Sequence, residues 1–343
     1  MAKQKKDPAA VRQKKRQLWL ERTAQWSGLD LTAAESLLLT RRTQSFRLNP
    51  LRGGATPPEL LTRPIDWCPN GFEIMPEFAA EYDALAVSGQ IYVQNAASWL
   101  PVLALDPQPG QRILDVCAAP GGKSSHIQAI AQNQANLICN DNSRPRLIKL
   151  QANMQRLGAT ADYVLADATR LSHRDDLGEF DAILLDAPCS GEGLMTLHPE
   201  DAKLFDSWSV AHIRRLSQLQ KRLILEAWRL LRPGGRLVYS TCTMAPEENE
   251  AVVDYLLRRQ PDARLLPIGV ALSTEFTRPI HDTSSAHHAL TTHSFPNRHP
   301  AVQTWNDRAF THDLSACLRL VPGRLTEAFF VAAIEKTADA RAD

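Results

Sequence analysis

Two cysteines of the 343-residue chain stand where a reactive thiol is most useful. In "LLDAPCSGEG" (184–193) Cys189 follows a proline at the end of an apolar run, and in "YSTCT" (239–243) Cys242 ends another. Short apolar runs bounded by turn residues read as buried strands, so both thiols are placed at strand mouths, where an open α/β sheet meets its ligands. Cysteine suits covalent catalysis because, with an unshifted pKa of about 8.5, a few per cent is already thiolate near neutral pH. The ordinary fate of a free cysteine is a small buried hydrophobe, and that reading is kept for Cys68, Cys139 and Cys317. Two close thiols at adjacent strand mouths offer two candidate nucleophiles, and position alone does not rank them.

A second constellation precedes the thiols. The run "RILDVCA" leads into Cys117, Ala118, Ala119, Pro120, Gly121, Gly122 and Lys123, followed by "SS" and a helical pattern. Proline and two glycines make a tight turn that a ligand can approach closely, and the helix after it offers free N–H groups. This is not a P-loop, which needs G-x-x-x-x-G-K-[ST]. The next run ends in Asp141, nineteen residues after Gly122, where an acid accepts both hydroxyls of a ribose in the dinucleotide fingerprint. The third run ends in Asp167, placed to take an adenine amino group, and the fourth in Asp186. Any one of these acids is as often a turn or cap residue; their common register carries the weight. Acids at successive strand ends repel a polyphosphate. A cationic adenosine derivative such as S-adenosylmethionine therefore fits better than NAD or ATP.

The elements that must position these groups follow from the pattern. "RILDVCA", "NLICND", "DYVLAD", "FDAILLDAP" and "RLVYSTC" alternate with helical segments such as "SSHIQAIAQ". A longer segment, "SVAHIRRLSQLQKRLILEAWRLL", has Ile213, Leu216, Leu223, Ala227 and Leu230 near a 3.6 period and stops at "RPGG". Alternation predicts an α/β fold with a doubly wound, mostly parallel sheet at 101–337, closed by "EAFFVAAIEK" as a last strand. Residues 31–100 read as a small α+β domain: "TAAESLLLT" is a helix capped by Thr32 with Glu35 three residues on, and "SFRLNPLRG", "NGFEI" and "GQIYVQ" are extended. Residues 1–30 form a basic segment whose first 22 residues carry Lys3, Lys5, Lys6, Arg12, Lys14, Lys15, Arg16 and Arg22 against Asp7 and Glu21. It reads either as a phosphate-contacting arm or as a solvated tail. A polar insertion near 270–312 holds His281, His287, His288, His293 and His299, whose spacing fits no ligand template, so no metal is expected.

Composition bounds the class. The chain is 44% apolar and 22% charged with a net charge of +1, as expected of a well-packed core. No run of about 18 uncharged apolar residues occurs, so no membrane span is expected. The N-terminus lacks an apolar h-region, and the six cysteines lack zinc spacing. Free thiols in a reducing cytoplasm are the expectation.

"DVCAAPGGKSS", "NDNSRPRLIKLQANMQRLG", "FDAILLDAPCSGEG" and "LVYSTCTMAPEENEAVV" together resemble the motif series of the Sun/Fmu (RsmB/RsmF-like) family of RNA cytosine-5 methyltransferases. "SFRLNPLRG" and "GQIYVQNAAS" resemble that family's upstream segments, so the match covers about residues 45–260. "DAPCSG" with "STCT" and downstream "PEENE" is its most specific part. The resemblance implies a Rossmann-like S-adenosylmethionine-dependent methyltransferase with an RRM-like N-terminal domain, acting on ribosomal or transfer RNA. It implies that Cys242 attacks C6 of cytosine, Cys189 assists release of the methylated base, and Asp186 binds and protonates the cytosine edge. The cofactor loop falls on Cys117–Lys123, with Asp141 and Asp167 holding the adenosine; Arg146 and Lys203 also match family positions. The Pro-Cys thiol of DNA cytosine-5 methyltransferases points the other way, to Cys189 as attacker. After "SGEG" the chain has Leu194, Met195, Thr196 and Leu197 where many members carry basic residues, and Ala328 stands where a glycine usually precedes the two phenylalanines.

RNA docking is expected through residues 1–60, with Arg41, Arg42, Arg47 and Arg52, and no obligatory protein partner is inferred for what reads as a monomer. Two other readings compete: an RNA-assembly factor that keeps the fold without essential catalysis, and a small-molecule methyltransferase. The intact Cys189/Cys242/Asp186 set weighs against the first and the basic N-terminal region against the second.

Overall fold

The computed structural model describes residues 7–54, 56–196, 201–268, 270–272, 288–290 and 297–338. Lys3, Lys5, Lys6, Leu197, His281, His287 and His293 lie outside the described residues. The basic segment from residue 7 is a helix, α1 (Pro8–Ser27). Asp7 caps it by accepting from the Ala9 amide, Pro8 occupies its first turn, and Gly28 ends it in the left-handed region at φ 70°. Trp19, Leu20 and Trp26 are buried on one side of α1 and pack with Met195, Phe205, Trp208, Met244 and Trp305 from far along the chain. In α2 (Leu31–Leu38) the cap is Asp30, which accepts from the Ala33 amide at 2.8 Å; Thr32 lies inside the first turn. Asp30 caps as well as Thr32 would, and taking the earlier position gains two more helical residues.

An antiparallel sheet follows, built from β1 (Ser45–Leu48), β2 (Pro64–Ile65), β3 (Cys68–Glu73) and β4 (Ile91–Val93) in the order β2-β3-β1-β4. Helix α3 (Ala79–Ser88) closes it through Tyr82, whose ring lies 5.0 Å from that of Phe46. The large sheet then alternates with helices: α4 (Leu100–Leu105), β5 (Arg112–Asp115), α5 (Gly122–Ile130), β6 (Asn136–Asp141), α6 (Arg144–Leu157), β7 (Asp162–Leu165) and β8 (Phe180–Asp186). Two short helices, α7 (Glu192–Met195) and α8 (Leu204–Ser207), precede α9 (Val210–Leu230), β9 (Leu231–Thr241), α10 (Glu250–Arg259) and β10 (Ala263–Leu266). Two small ribbons pair β11 (Val270–Leu272) with β12 (His288–Leu290) and, beyond β13 (Arg298–His299), β14 (Thr304–Trp305) with β15 (Arg308–Ala309). The last strands are β16 (Leu318–Leu320) and β17 (Phe329–Lys336).

The large sheet runs β13-β16-β17-β9-β8-β5-β6-β7, with β10 also on β17. From β7 to β9 every pairing is parallel; β17 joins β9 antiparallel, and β16 and β10 join β17 antiparallel. Alternate residues of each strand face opposite cores. Ile113, Leu137, Leu184 and Val238 pack in one with α4, α5 and α6, and Leu114, Ile138, Ile183, Leu185 and Tyr239 in the other with α9 and α10. Helices on both faces make the sheet doubly wound, and its interior strands read as apolar runs because both faces are covered. "RPGG" is not a separate turn: α9 passes directly into β9, and the partners shift from Phe180↔Leu231 to Ala182↔Arg236, leaving Arg232–Gly235 as a bulge with Gly234 at φ 76°. His299 packs edge-on against Trp26, ring centroids 5.1 Å apart.

Candidate active site

The carboxyl ends of β5, β6, β8 and β9 form the rim that holds the predicted residues. Because β8 and β9 are neighbours, with Asp186 opposite Ser240, the turns after them bring the two thiols together. Cys189 Sγ and Cys242 Sγ are 3.3 Å apart, both half-buried and both free. The hydrogen bond to Cys242, together with burial, holds the Cys189 thiol well above its usual range, so Cys189 remains protonated at neutral pH. Asp186 is tied on both oxygens: Ser240 Oγ donates to Oδ1 at 2.7 Å and Lys123 Nζ to Oδ2 at 2.6 Å. Burial works against the Lys123 ammonium, but Asp186 outweighs it and raises its pKa.

A buried polar frame fixes this half of the rim. Glu192 accepts from Trp208 Nε1 (2.9 Å) on one oxygen and from Thr243 Oγ1 and the Met244 amide (3.1 Å each) on the other. Glu248 accepts from the Ser190 amide (3.0 Å) and Gln220 Nε2 (2.8 Å), and Gln220 Nε2 also donates to Pro188 O at 2.9 Å. Burial pushes the Glu248 carboxyl up to about 7. Asn249 donates to Thr243 O at 2.9 Å, and Ser190 Oγ meets Thr243 Oγ1 at 2.8 Å. Gly193 is required here, since a Cβ would stand 2.7 Å from Ala328 O and 2.9 Å from Cys242 O. Sequence reasoning quoted "PEENE" but assigned Glu248 no role, and it missed Glu192 and Gln220. The clue for Gln220 was a polar residue on the apolar stripe of α9.

The other half gathers acids. Cys117 lies among Asp115, Asp186 and Asp141, and burial and those carboxylates push its thiol far up. Burial raises Asp115 to about 7; Ser124 Oγ donates to one of its oxygens at 2.7 Å. Asp141 is buried, its Oδ1 accepting from the Ser143 amide at 2.9 Å and its Oδ2 having no hydrogen-bond partner, although Arg146 Nη1 lies 3.2 Å away as a charge pair. Arg146 Nη2 donates to Ala119 O at 2.8 Å and Asn153 Nδ2 to Pro120 O at 2.8 Å, so α6 holds the loop from below. Gly121 stands at φ 104°, and a Cβ on Gly122 would meet Tyr92 and Gln94 at 2.9 Å, so both glycines are needed. Asp167 is exposed and takes the Thr169 amide (2.9 Å) and Thr169 Oγ1 (2.8 Å), which lower its pKa; that is a cap. Lys203 is exposed at the start of α8.

The arginines expected at an RNA surface are mostly engaged within the chain. Arg12 grips Asp206 with two bonds (2.7 and 2.8 Å), Lys15 donates to Phe205 O and Asp206 O, Arg16 pairs with Glu35 and Arg22 with Glu247. Arg47 is buried and donates to Gly122 O (3.1 Å) and Ser125 Oγ (2.6 Å); Arg52 donates to the carbonyls of Gln155 and Arg156. Arg41 remains exposed. Positive charge in the sequence was read as surface, but guanidinium groups also staple helix ends and loops from within.

The family model for the 16S rRNA methyltransferases RsmB/F matches residues 102–335. The chain belongs to the RsmB/F methyltransferase family. The tRNA (cytosine(49)-C(5))-methyltransferase of Pyrococcus abyssi is 33% identical over 302 residues, covering 85% of this chain and 88% of that protein. Ribosomal RNA small subunit methyltransferase F of Cronobacter sakazakii is 41% identical over 209 residues, covering 58% of this chain but 42% of its own length; the chain thus spans under half of that relative. A crystal structure of a methyltransferase homolog from Pyrococcus horikoshii superposes with a TM-score of 0.72 at 28% identity over 93% of this chain and 94% of that one. NSun6 from Pyrococcus horikoshii, solved with SFG, shares the fold with a TM-score of 0.69.

As an RsmB/F methyltransferase the protein is S-adenosylmethionine-dependent, and the residues fit that donor. The partnerless Asp141 Oδ2 suits a ribose hydroxyl, the Gly121–Gly122 turn admits close backbone approach, and the three carboxylates around Cys117 favour a sulfonium cation. No helix among the described residues is long and apolar enough to cross a membrane. Among them no group of three or more His, Cys, Asp or Glu side chains is placed to hold a metal ion.

Proposed function

We propose that the protein methylates C5 of a cytidine in ribosomal or transfer RNA through a covalent bond between Cys242 and C6 of the base. The observation that carries this reading is the pair of thiols 3.3 Å apart beside the Lys123–Asp186 ion pair. C5 of cytosine is too weak a nucleophile to take a methyl group unaided. Addition of the Cys242 thiolate at C6, with a proton delivered to N3 from the Asp186 side, turns C5 into an enamine carbon. S-adenosylmethionine supplies the electrophilic methyl group, held by Cys117–Lys123, Asp141 and Arg146, with Asp167 at the rim. Loss of the C5 proton then lets the Cys242–C6 bond break and restores the aromatic ring.

Cys242 is the attacker and Cys189 assists release, the order that the resemblance of "STCT" and "DAPCSG" to the RNA family implies. The base must be unpaired or flipped out, since its C5 and C6 are out of reach in a stack. With most N-terminal arginines engaged inside the fold, RNA docking falls to Arg41 and to groups around the rim. Bisulfite sequencing of total RNA with and without the gene tests the reading. One cytidine losing protection names the substrate, and no change at any cytidine overturns it.

A further inference from the structure

Two charged residues beside the thiols take no part in the machinery above. Glu327 lies two residues before β17, whose Phe330 pairs with Thr241 at the end of β9. The next carbonyl, Ala328 O, presses on Gly193, whose amide donates to Cys242 O at 2.9 Å, and the Phe329 ring lies 5.6 Å from Lys123 Nζ. The segment 327–329 therefore lies close to both Cys242 and the Lys123–Asp186 pair. The Glu327 amide is anchored to Asn95 Oδ1 at 3.2 Å, but its carboxyl is only 4% exposed and Oε2 has no hydrogen-bond partner. The charged groups facing it are Arg42, Lys123 and Asp186. Arg42 donates to Thr196 Oγ1 just after α7 and keeps two further buried nitrogens, Nε and Nη1, without partners.

A buried carboxylate oxygen left without a donor costs on the order of 1–3 kcal/mol, so it marks a place where a donor arrives from outside. Asp186 already receives Ser240 and Lys123; of the partnerless carboxylate oxygens near the thiols, Glu248 Oε1 belongs to the group that holds the Ser190 amide and Gln220, and Glu327 Oε2 to the one that faces Lys123 and Asp186. At the reacting ring, cytosine differs from uracil in carrying an amino donor where uracil carries an oxo acceptor, and carboxylates are the side chains that accept from cytosine N4. We infer that Glu327 is a specificity-determining residue whose free oxygen accepts a hydrogen bond from the 4-amino group of the target cytosine. Arg42 is the cation whose charge favours the ionised form of that carboxylate. The inference rests on the cytidine chemistry proposed above.

The test uses RNA covering the cytidine found by bisulfite sequencing, synthesised with 5-fluorocytidine or 5-fluorouridine at that position; fluorine cannot leave as a proton does, so adducts persist. Wild-type protein with S-adenosylmethionine should trap the cytidine form. Glu327→Gln, whose amide offers a donor as well as an acceptor, should trap it about tenfold less and narrow the preference for cytidine over uridine by about 100-fold. Calorimetric binding of S-adenosylhomocysteine should stay unchanged, the melting temperature should not fall, and Glu327→Asp should recover part of the preference. The assignment is overturned if Glu327→Gln keeps the wild-type preference, or if its loss is matched by weaker S-adenosylhomocysteine binding. Should Glu327→Gln not fold, a narrowed preference in Glu327→Asp supports the assignment, and an unchanged preference overturns it. Wild-type protein that traps neither form would sink the cytidine chemistry itself.

Discussion

The two halves of the rim differ in how densely their polar groups are bonded to one another. The half at β8 and β9 encloses its thiols in a frame of buried hydrogen bonds that cross-links Glu192, Glu248, Gln220 and Asn249, although one oxygen each of Glu248 and Gln220 has no hydrogen-bond partner. The half at β5 and β6 keeps a partnerless oxygen on Asp141 and another on Asp115, and surrounds them with backbone turns. Covalent chemistry needs atoms fixed to fractions of an ångström, which a densely cross-linked network provides. A donor that must enter and leave at every turnover needs groups left ready for it, and orphaned acceptors provide those.

Replacing the thiols one at a time breaks the comparison most severely. Cys242→Ala should drop methyl transfer to background and form no protein–RNA adduct. Cys189→Ala should slow turnover and accumulate that adduct, seen as a retarded band on denaturing gels. Swapped outcomes would swap the two roles. A smaller effect is expected on the open half. Asp141→Ala should raise the KM for S-adenosylmethionine by about 10- to 100-fold, equivalent to losing about 1.5–3 kcal/mol from hydrogen bonds to a charged group. At saturating donor, adduct formation in a Cys189→Ala background should be unaffected; a parallel loss of trapping would mean the halves are not separable.

The smallest effect sharpens the same contrast through pH. Folding raises Glu248 from an ordinary 4.5 to about 7, so the folded state holds a proton that the unfolded chain has released. Its contribution to stability is full below about pH 4.5 and is lost as pH rises toward about 7. Glu248→Gln should therefore gain stability relative to wild type across that window and level off above it, by on the order of 2 kcal/mol. Differential scanning fluorimetry from pH 4 to 8 reads this directly. Asp115 and Glu327, also raised to about 7 by burial, slope the same way, so the variant flattens the wild-type curve only in part.

Much of this was legible in the sequence because the chemistry sits at strand ends. Apolar runs closing on Asp141, Asp186, Cys189 and Cys242 placed the rim, and the glycine turn placed the loop. Three things were not legible. The antiparallel half of the sheet depends on β16 and β10 joining β17, and short strands after a long polar stretch leave little periodic signal. Helix α1 was hidden by its charge: a strongly basic run reads as solvated, yet Trp19, Leu20 and Trp26 lie on its buried side and its arginines find Asp206, Glu35 and Glu247 only through tertiary structure. Glu327 was invisible because its significance lies in what surrounds it, an aspartate, a lysine and an arginine from three distant segments.

Among the described residues β17 follows every other strand of the sheet, yet it lies inside it, with β9 on one side and β16 and β10 on the other. While the polypeptide is still leaving the ribosome, β9 must present an unpaired edge, and the wall beside Cys242 stays open until Phe329 and Phe330 arrive. The mature thiol site therefore waits on a segment far along the chain from Cys242, and that segment must reach back into the sheet before the wall is complete.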